Sequence, residues 1–181
     1  MKPSIQRNID GARLLLRPLS LDDATPEYAG WLNDPEVNRY LEVRFTKHSP
    51  GSIRGYILNM AEDPGEVFFA IVRKDLGKLI GTIKIGSISW EHGTGEIALM
   101  IGDKASWGKG FATEAIGLVS GYAFNDLGLR KLTAGIYEDN IGSIKAFLKA
   151  GFLEEFREKK QYLSEGKLTD RIVFTKFNDS L

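Results

Sequence analysis

The sequence predicts one domain of the α/β (α+β) class, in which helices pack on a sheet. Three observations lead to this prediction. The chain has 181 residues, a usual size for a single domain. Its 43% hydrophobic and 27% charged residues are typical of a globular protein with a buried core, which excludes disordered and fibrous classes. Apolar residues recur with a period of two in some segments and at helical spacing in others.

Charge and composition exclude several partners and chemistries. Lys and Arg number 24, as do Asp and Glu, so no net field attracts nucleic acid or an anionic membrane. With no cysteine, and with His48 and His92 as the two histidines, we expect no disulfide, no cysteine nucleophile and no metal site. The sequence has no apolar stretch of membrane-spanning length and no apolar signal core, so we expect a cytoplasmic location.

The first 60 residues predict one strand and a group of short helices. Residues 13–19 are an apolar run closed by a proline, and residues 20–23 have the form of a helix capping box. Two helices around Trp31 and Val37 each follow a cap residue and a proline at the first helical position. A further helix, entered at Ser49-Pro50, carries apolar residues at helical spacing, namely Ile53, Tyr56, Ile57 and Met60.

The next segment changes to strands and then to a strand, loop and helix. Residues 67–73 and 78–85 predict a hairpin, and residues 96–101 predict a third strand. A loop rich in glycine follows, and the helix after it has one apolar face and ends before Gly128, with Ala112, Ala115, Ile116, Val119 and Ala123 on that face.

The last third predicts a further strand and helix and a closing hairpin. Residues 131–137 alternate as a strand does, and a helix carrying Ile144, Phe147 and Leu148 ends at Gly151. From Phe152 the pattern is that of a hairpin that turns near residues 164–166 and ends in a strand at residues 171–177.

The loop Trp107-Gly108-Lys109-Gly110 is a candidate phosphate site. Glycines there allow backbone N–H groups to approach an anion, and the following helix adds about half a positive charge. A plain turn is an equal alternative on these residues alone. A Walker loop is excluded because Asp103 stands at its first glycine position. A dinucleotide motif fits poorly, because Thr113 replaces its third glycine, although Glu138 could bind a ribose.

Four motifs in order resemble one known family. Residues 95–102, 107–115, 137–143 and 149–152 look like the GNAT superfamily of acyl-CoA-dependent N-acyltransferases, in its RimJ/RimL-like branch. The resemblance implies a GNAT-type mixed, mostly antiparallel twisted sheet flanked by helices and splayed between its central strands, at 96–101 and 131–137. Coenzyme A would bind in the split, and residues 1–181 would form a single acyl-CoA N-acyltransferase domain.

The resemblance also implies the residues that contact the cosubstrate, acetyl-CoA. Leu99, Met100 and Ile101 would offer a backbone N–H to the oxyanion. The pyrophosphate loop of the family falls on Trp107, Gly110 and Ala112, and Trp107 departs from the usual first residue. The full set for the cofactor is Leu99, Met100, Ile101, Trp107, Gly108, Lys109, Gly110, Phe111, Ala112, Thr113, Asn140, Ser143 and Phe147.

The implied reaction is direct attack of a primary amine on the acetyl thioester, which needs a base and an acid. Glu96 is the candidate base if burial raises its pKa, and a solvated strand-end residue with water as proton carrier is the alternative. The tyrosine that is the usual family acid falls on Phe147, which has no proton to donate. Ser143 is implied in its place, with helix capping as the alternative. Asn140 is implied to bind the pantetheine arm, or caps the helix.

The implied acceptor wall contains Trp31, Tyr40, Glu42 and Arg44, where core packing is the alternative for the aromatic residues. The acceptor would be a protein N-terminus or a small-molecule amine such as an amino sugar, while a polyamine or an aminoglycoside stays open. The resemblance also allows a homodimer. Two other functions stay open on the sequence: a non-catalytic acyl-CoA-binding module, suggested by Phe147, and a nucleotide-dependent oxidoreductase that uses Glu138.

Overall fold

The computed structural model describes residues 7–178, which form one eight-stranded sheet and five α-helices. The strands are β1 (Ile9–Asp10), β2 (Leu14–Pro18), β3 (Val67–Arg73), β4 (Lys78–Ser89), β5 (Thr94–Ile101), β6 (Lys131–Tyr137), β7 (Leu153–Ser164) and β8 (Lys167–Phe177). The helices are α1 (Pro26–Asn33), α2 (Pro35–Asn38), α3 (Pro50–Glu62), α4 (Phe111–Asn125) and α5 (Ile141–Lys149). No helix within these residues has both the length and the apolar character to span a membrane.

The sheet divides between β5 and β6. Its order is β1-β2-β3-β4-β5-β6-β8-β7, and all neighbours are antiparallel except β5 and β6. These two pair in parallel only from Thr94↔Lys131 to Glu96↔Thr133. Beyond Glu96, β5 stays paired with β4, and β6 stays paired with β8. The predicted mixed, splayed sheet is therefore confirmed.

Helices cover both faces of this sheet. Side chains alternate along β5, so that Ile97 packs in the larger apolar cluster with α4, and Met100 packs in a smaller one with α1 and α3. The larger cluster also receives Ala146 and Phe147 of α5. Because α4 follows β5 and α5 follows β6, both helices begin at the edge where the two strands have parted.

Several predicted boundaries differ from the structure. Residues 20–23 form only a 3-10 turn at Leu21–Asp23. The helix cannot continue because Thr25, which precedes a proline, is extended with φ −96° and ψ 161°. β4 runs past residue 85 to Ser89 through an irregular pairing with Ser87 at φ 50°. β8 begins at Lys167, directly after the hairpin turn, and the short β1 was not predicted.

Candidate active site

A cleft of about 530 Å³ opens where β5 and β6 separate. Its walls are the end of β5, the glycine loop, the first turns of α4 and α5, and residues 36–41 of the helical segment. Most of the residues predicted to contact the cofactor line this cleft, namely Leu99, Met100, Ile101, Trp107, Gly108, Gly110, Phe111, Ala112, Thr113, Asn140 and Ser143. Tyr40, predicted for the acceptor wall, lines it as well.

The glycine loop ends in a left-handed residue that begins α4. Gly108 and Gly110 have φ of 71° and 80°, a conformation that side chains with a Cβ rarely adopt. Gly110 is the N-cap of α4 and offers no side-chain oxygen to the helix. Each of the other four α-helices in residues 7–178 is capped by a side chain, from Thr25, Asp34, Ser49 or Asn140.

The uncapped end of α4 exposes backbone donors to the cleft. The first intrahelical hydrogen bond runs from Glu114 N to Gly110 O at 3.1 Å. The N–H groups of Phe111, Ala112 and Thr113 therefore precede the hydrogen-bonded part of the helix, and all three residues line the cleft. Free N–H groups and the positive end of the helix dipole together form a site suited to a phosphate or pyrophosphate.

Two arginines contact the glycine loop and the first turn of α4. The guanidinium groups of Arg13 and Arg73 lie 4.7 and 4.9 Å from the centre of the Phe111 ring. Arg13 also donates to the carbonyl oxygen of Lys109 at 2.8 Å and pairs with Glu114 at 2.8 Å. Burial would raise the pKa of Glu114, but hydrogen bonds from Arg13 and from the backbone of residues 13 and 14 lower it overall. Sequence patterns do not predict these contacts, because Arg13 and Glu114 lie far apart in the chain.

Five predicted contact residues do not line this cleft, namely Trp31, Glu42, Arg44, Lys109 and Phe147. Phe147 is 1% exposed and packs edge to face on Phe152 at 5.0 Å, because it lies on the buried side of α5. Trp31 is buried against Gly102, where a Cβ would collide with the indole ring. Lys109 is exposed and contributes its carbonyl group to Arg13. In this structure Phe147 and Trp31 are therefore core residues, as the core-packing alternative for Trp31 expects, and a contact of either with a bound molecule stays a prediction.

Asn140 and Ser143 meet at the first turn of α5. The Asn140 side chain accepts a hydrogen bond from Ser143 N at 3.2 Å, so the capping alternative holds for Asn140. Both residues also line the cleft. Within residues 7–178 the Ser143 hydroxyl has no hydrogen-bond partner, which leaves it available to a bound molecule.

Glu96 occupies the last paired position before the strands part. Its side chain is 38% exposed, and Oε1 lies 2.6 Å from Arg171 Nη2. Arg171 also pairs with Glu158 at 2.8 Å, and its guanidinium crosses Gly135 of β6, where there is no room for a Cβ. The burial expected for Glu96 is therefore not found, and the group is an ion-paired carboxylate at the point where the sheet divides.

A cluster of tyrosines lies beside this carboxylate. Tyr137, the last residue of β6, donates its hydroxyl to Glu42 Oε1 at 2.5 Å. Burial, together with this hydrogen bond, raises the pKa of Tyr137 to about 12. Tyr162 stacks on the Tyr137 ring at 3.8 Å, and Tyr40 and the Arg44 guanidinium lie 5.5 and 5.2 Å from it. The structure thus brings three predicted acceptor residues, Tyr40, Glu42 and Arg44, around Tyr137.

The prediction missed Tyr137, Tyr162 and Arg171. One signal was present: the alternation along residues 131–137 puts Thr133, Gly135 and Tyr137 on the face of β6 opposite the larger core cluster. The pairing of Tyr137 with Arg171 across β6 and β8 could not be predicted, because it depends on the register of two strands that are distant in the sequence.

A second cleft, of about 700 Å³, continues from Arg44 between the helical segment and the turn after β7. Arg39, Lys47 and the exposed ring of Phe45 line it, together with Glu165. Glu165 pairs with Arg39 at 3.2 Å. This opening includes Arg44, one of the residues predicted for the acceptor wall.

The structure argues against a nucleotide-dependent oxidoreductase. That function requires a parallel sheet with a tight junction between strand and glycine loop, whereas this sheet is antiparallel except at β5 and β6. Glu138, the candidate ribose ligand, accepts hydrogen bonds from Thr169 Oγ1 and Asp170 N at 3.0 and 2.9 Å. Its carboxylate is therefore engaged within the protein.

Comparisons with known proteins find relatives over most of the chain. Residues 13–153 match the family described as an acetyltransferase (GNAT) domain. The uncharacterized N-acetyltransferase p20 of Bacillus licheniformis is 33% identical over 170 residues, which are 90% of this chain and 92% of that protein.

Solved structures share the fold at lower sequence identity. Mycobacterium smegmatis RimJ in complex with CoA-disulfide has a TM-score of 0.85 at 18% identity and covers 100% of this chain and 92% of its own. The spermidine N-acetyltransferase from Vibrio cholerae in complex with CoA and spermine has a TM-score of 0.81 at 22% identity, over 92% and 96% of the two chains.

Proposed function

Since the chain belongs to the GNAT family of acetyltransferases, we propose that its split sheet binds acetyl-CoA and directs the acetyl group to a primary amine. The enzyme class, an N-acetyltransferase with acetyl-CoA as donor, follows from the family. The observation that carries the placement of the donor is the uncapped N-terminus of α4 at the split.

The donor is proposed to lie across the split with its two ends on different elements. Its pyrophosphate accepts hydrogen bonds from the free N–H groups of Phe111, Ala112 and Thr113. Its thioester lies against residues 99–101 of β5, whose edge towards β6 has no strand partner beyond Glu96. A backbone N–H on that free edge stabilises the oxyanion that forms on the thioester carbonyl.

The amine then attacks the thioester carbonyl carbon, so that a C–N bond forms, the C–S bond breaks, and a proton passes from nitrogen to sulfur. Glu96 takes the proton from the amine, directly or through a water molecule, since its partly exposed carboxylate stands where the strands part. Ser143 donates a hydrogen bond from its hydroxyl to the leaving thiolate and passes on to it a proton that the serine recovers from solvent, while Glu96 releases its proton to solvent.

The charges around the acceptor wall favour a weakly charged amine. Glu96 and Glu158 are both paired with Arg171, and Glu42 lies 3.4 Å from Arg44. Counted together with Glu165, Arg39 and Lys47 of the second cleft, the described wall has four carboxylates and four cations. It therefore has no net negative charge to attract a polyamine with several positive charges. We propose a protein N-terminus or an amino sugar as the acceptor, in keeping with a RimJ/RimL-like enzyme.

A panel of amines tests this proposal. The purified protein is mixed with acetyl-CoA and either a peptide with a free N-terminus, an amino sugar or spermidine, and thiol release is followed. We expect kcat/KM to be lowest for spermidine. A highest value for spermidine would contradict the charge argument. Acetyl-CoA binding without turnover on any amine would support the non-catalytic binding module instead.

The role of Ser143 is tested by Ser143→Ala, with Ser143→Thr as the variant that keeps the hydroxyl. Loss of an acid catalyst typically lowers kcat by about 10²- to 10⁴-fold. We expect such a loss in Ser143→Ala, an unchanged affinity for acetyl-CoA, and partial recovery in Ser143→Thr. An unchanged kcat in Ser143→Ala would assign proton delivery to water.

We propose that residues 1–181 act as a single N-acyltransferase domain and that the enzyme works in the cytoplasm without nucleic acid or membrane as a partner. A homodimer is compatible with this function, and the mass of the enzyme in solution tests it.

A further inference from the structure

Helix α5 presents two lysines to the cleft, and neither is balanced by an acid. We propose that Lys145 and Lys149 bind the 3′-phosphate of coenzyme A and make the enzyme select CoA over its 3′-dephospho form. This inference rests on the proposed donor site and adds to it a specificity-determining site on a different element.

The spacing along α5 puts both lysines on the wall of the cleft. Gly142, Lys145, Ala146 and Lys149 follow one another at helical spacing and all line the cleft. Gly142 and Ala146 have little or no side chain, so they leave space between the two lysines. Helical side chains lean towards the N-terminus of their helix, and both ammonium groups therefore lean towards the open edge where α4 also begins.

Neither lysine has a partner in the part of the protein that the structure describes. Across residues 7–178, no carboxylate lies within ion-pair distance of Nζ of Lys145 or Lys149, whereas other lysines are paired, among them Lys74, Lys78, Lys84, Lys104, Lys131 and Lys159. Two like charges four residues apart on a helix repel each other and destabilise it. An anion between them removes that repulsion.

The rest of the cleft does not supply the missing negative charge. Glu36 is the one acid among the residues that line it, and its carboxylate lies 2.6 Å from Lys104. The cleft therefore has a positive wall on α5 in addition to the free N–H groups of α4. A lysine near the C-terminus of a helix is stabilised by the helix dipole, and this would be a sufficient reason for Lys149. It does not account for Lys145, which lies in the middle of the helix.

The charge of coenzyme A matches these two sites separately. The pyrophosphate needs several converging N–H donors, which α4 offers, and the 3′-phosphate is a compact monoester dianion on the ribose. A lysine ammonium is a compact point charge with three donors, and it suits such a phosphate without a fixed geometry. The two lysines therefore provide the charge that the remaining phosphate requires.

The experiment measures the dissociation constants of CoA and of 3′-dephospho-CoA by titration calorimetry. The proteins are the wild type, Lys145→Ala/Lys149→Ala, the double arginine variant at the same positions, and Lys167→Ala as a control lysine outside the cleft. We expect the wild type to bind CoA about tenfold more tightly than the dephospho form. The double alanine variant should lose this preference while its affinity for dephospho-CoA stays unchanged, and the double arginine variant should restore it.

Three results would overturn the inference. The first is a wild type that binds CoA and dephospho-CoA equally, and the second is a preference for CoA that survives in the double alanine variant. The third is an equal loss of affinity for both ligands in that variant, which would place the lysines on the pyrophosphate or make their effect non-specific. A preference lost equally in Lys167→Ala would also count against a local site. Failure to bind either ligand in the wild type would instead refute the proposed donor site itself.

Discussion

Substitution of Gly110 by Asn or by Asp separates the stability of α4 from its proposed role in binding an anion. Asn and Asp have nearly the same shape, and both tolerate the left-handed conformation that φ 80° requires. Space is available, because the nearest atom to a Cβ there is Arg13 Nη2 at 3.5 Å. The backbone cost is therefore shared by the two variants, and their difference reports the charge.

The charge should act in opposite directions on folding and on binding. A carboxylate at the uncapped end of α4 stabilises the helix by about 0.3–1 kcal/mol relative to the amide. In a protein of this size that raises Tm by about 1–4 °C. At an assumed separation of about 6 Å in a water-like medium, this carboxylate and a doubly charged pyrophosphate would repel each other by about 1.4 kcal/mol, or tenfold in Kd.

Thermal melting without ligand and calorimetric titration with acetyl-CoA measure the two effects. We expect Gly110→Asp to melt at a higher temperature than Gly110→Asn and to bind acetyl-CoA about tenfold more weakly. Equal affinities would refute the argument, because the loop would then not approach the phosphates. Salt provides a control, since screening should reduce the difference in affinity as ionic strength rises.

Three other predictions follow from the described contacts. Gly135→Ala should displace Arg171 and lower the free energy of unfolding by about 0–2 kcal/mol, because each of its two partly exposed ion pairs contributes about 0–1 kcal/mol. In an Arg171→Ala background the same substitution should cost nothing further. Chemical denaturation of the wild type, the two single variants and the double variant measures both effects. Burial would raise the pKa of Asp23, but hydrogen bonds from Arg17 and from the backbone of residue 20 hold it below its usual value. Asp23→Asn should therefore lower the free energy of unfolding by about 1–3 kcal/mol above pH 4. This difference between the two proteins should shrink as pH falls through the lowered pKa, and a difference that does not change with pH would contradict the reasoning. Burial raises the pKa of Tyr137 to about 12, so its hydroxyl stays protonated between pH 7 and 10. Tyr137→Phe should therefore leave the shape of the curve of kcat/KM against pH unchanged over that range. A rise or fall of kcat/KM with pH that disappears in the variant would contradict this.

Local patterns in the sequence were enough to predict the elements and most of the donor cleft. Period and capping signals depend on neighbours a few residues apart, which is why α4 and its glycine loop were predicted near their observed positions. The loop could also be recognised because a glycine at the N-cap has no side chain with which to cap the helix.

The rest could not be predicted because it depends on contacts between distant residues. Glu96 and Arg171 are 75 positions apart, and their ion pair exists only because β6 and β8 have one particular register. Phe147 was assigned to the cleft by motif position, but the angle at which α5 packs turns that side chain into the core. Burial of a residue follows from the face of its element, which a motif alone does not specify.

The contact between Trp31 and Gly102 has a consequence for how acceptor preference can change. The indole occupies the space above the residue that follows β5, so α1 and the floor of the donor cleft are joined without a gap. Movement of α1 would therefore disturb the donor site. Under the proposed function, new acceptors are more readily accommodated by replacing side chains in residues 44–47 and in the β7–β8 turn, which line the second cleft. Donor binding and acceptor choice could then vary separately in one chain.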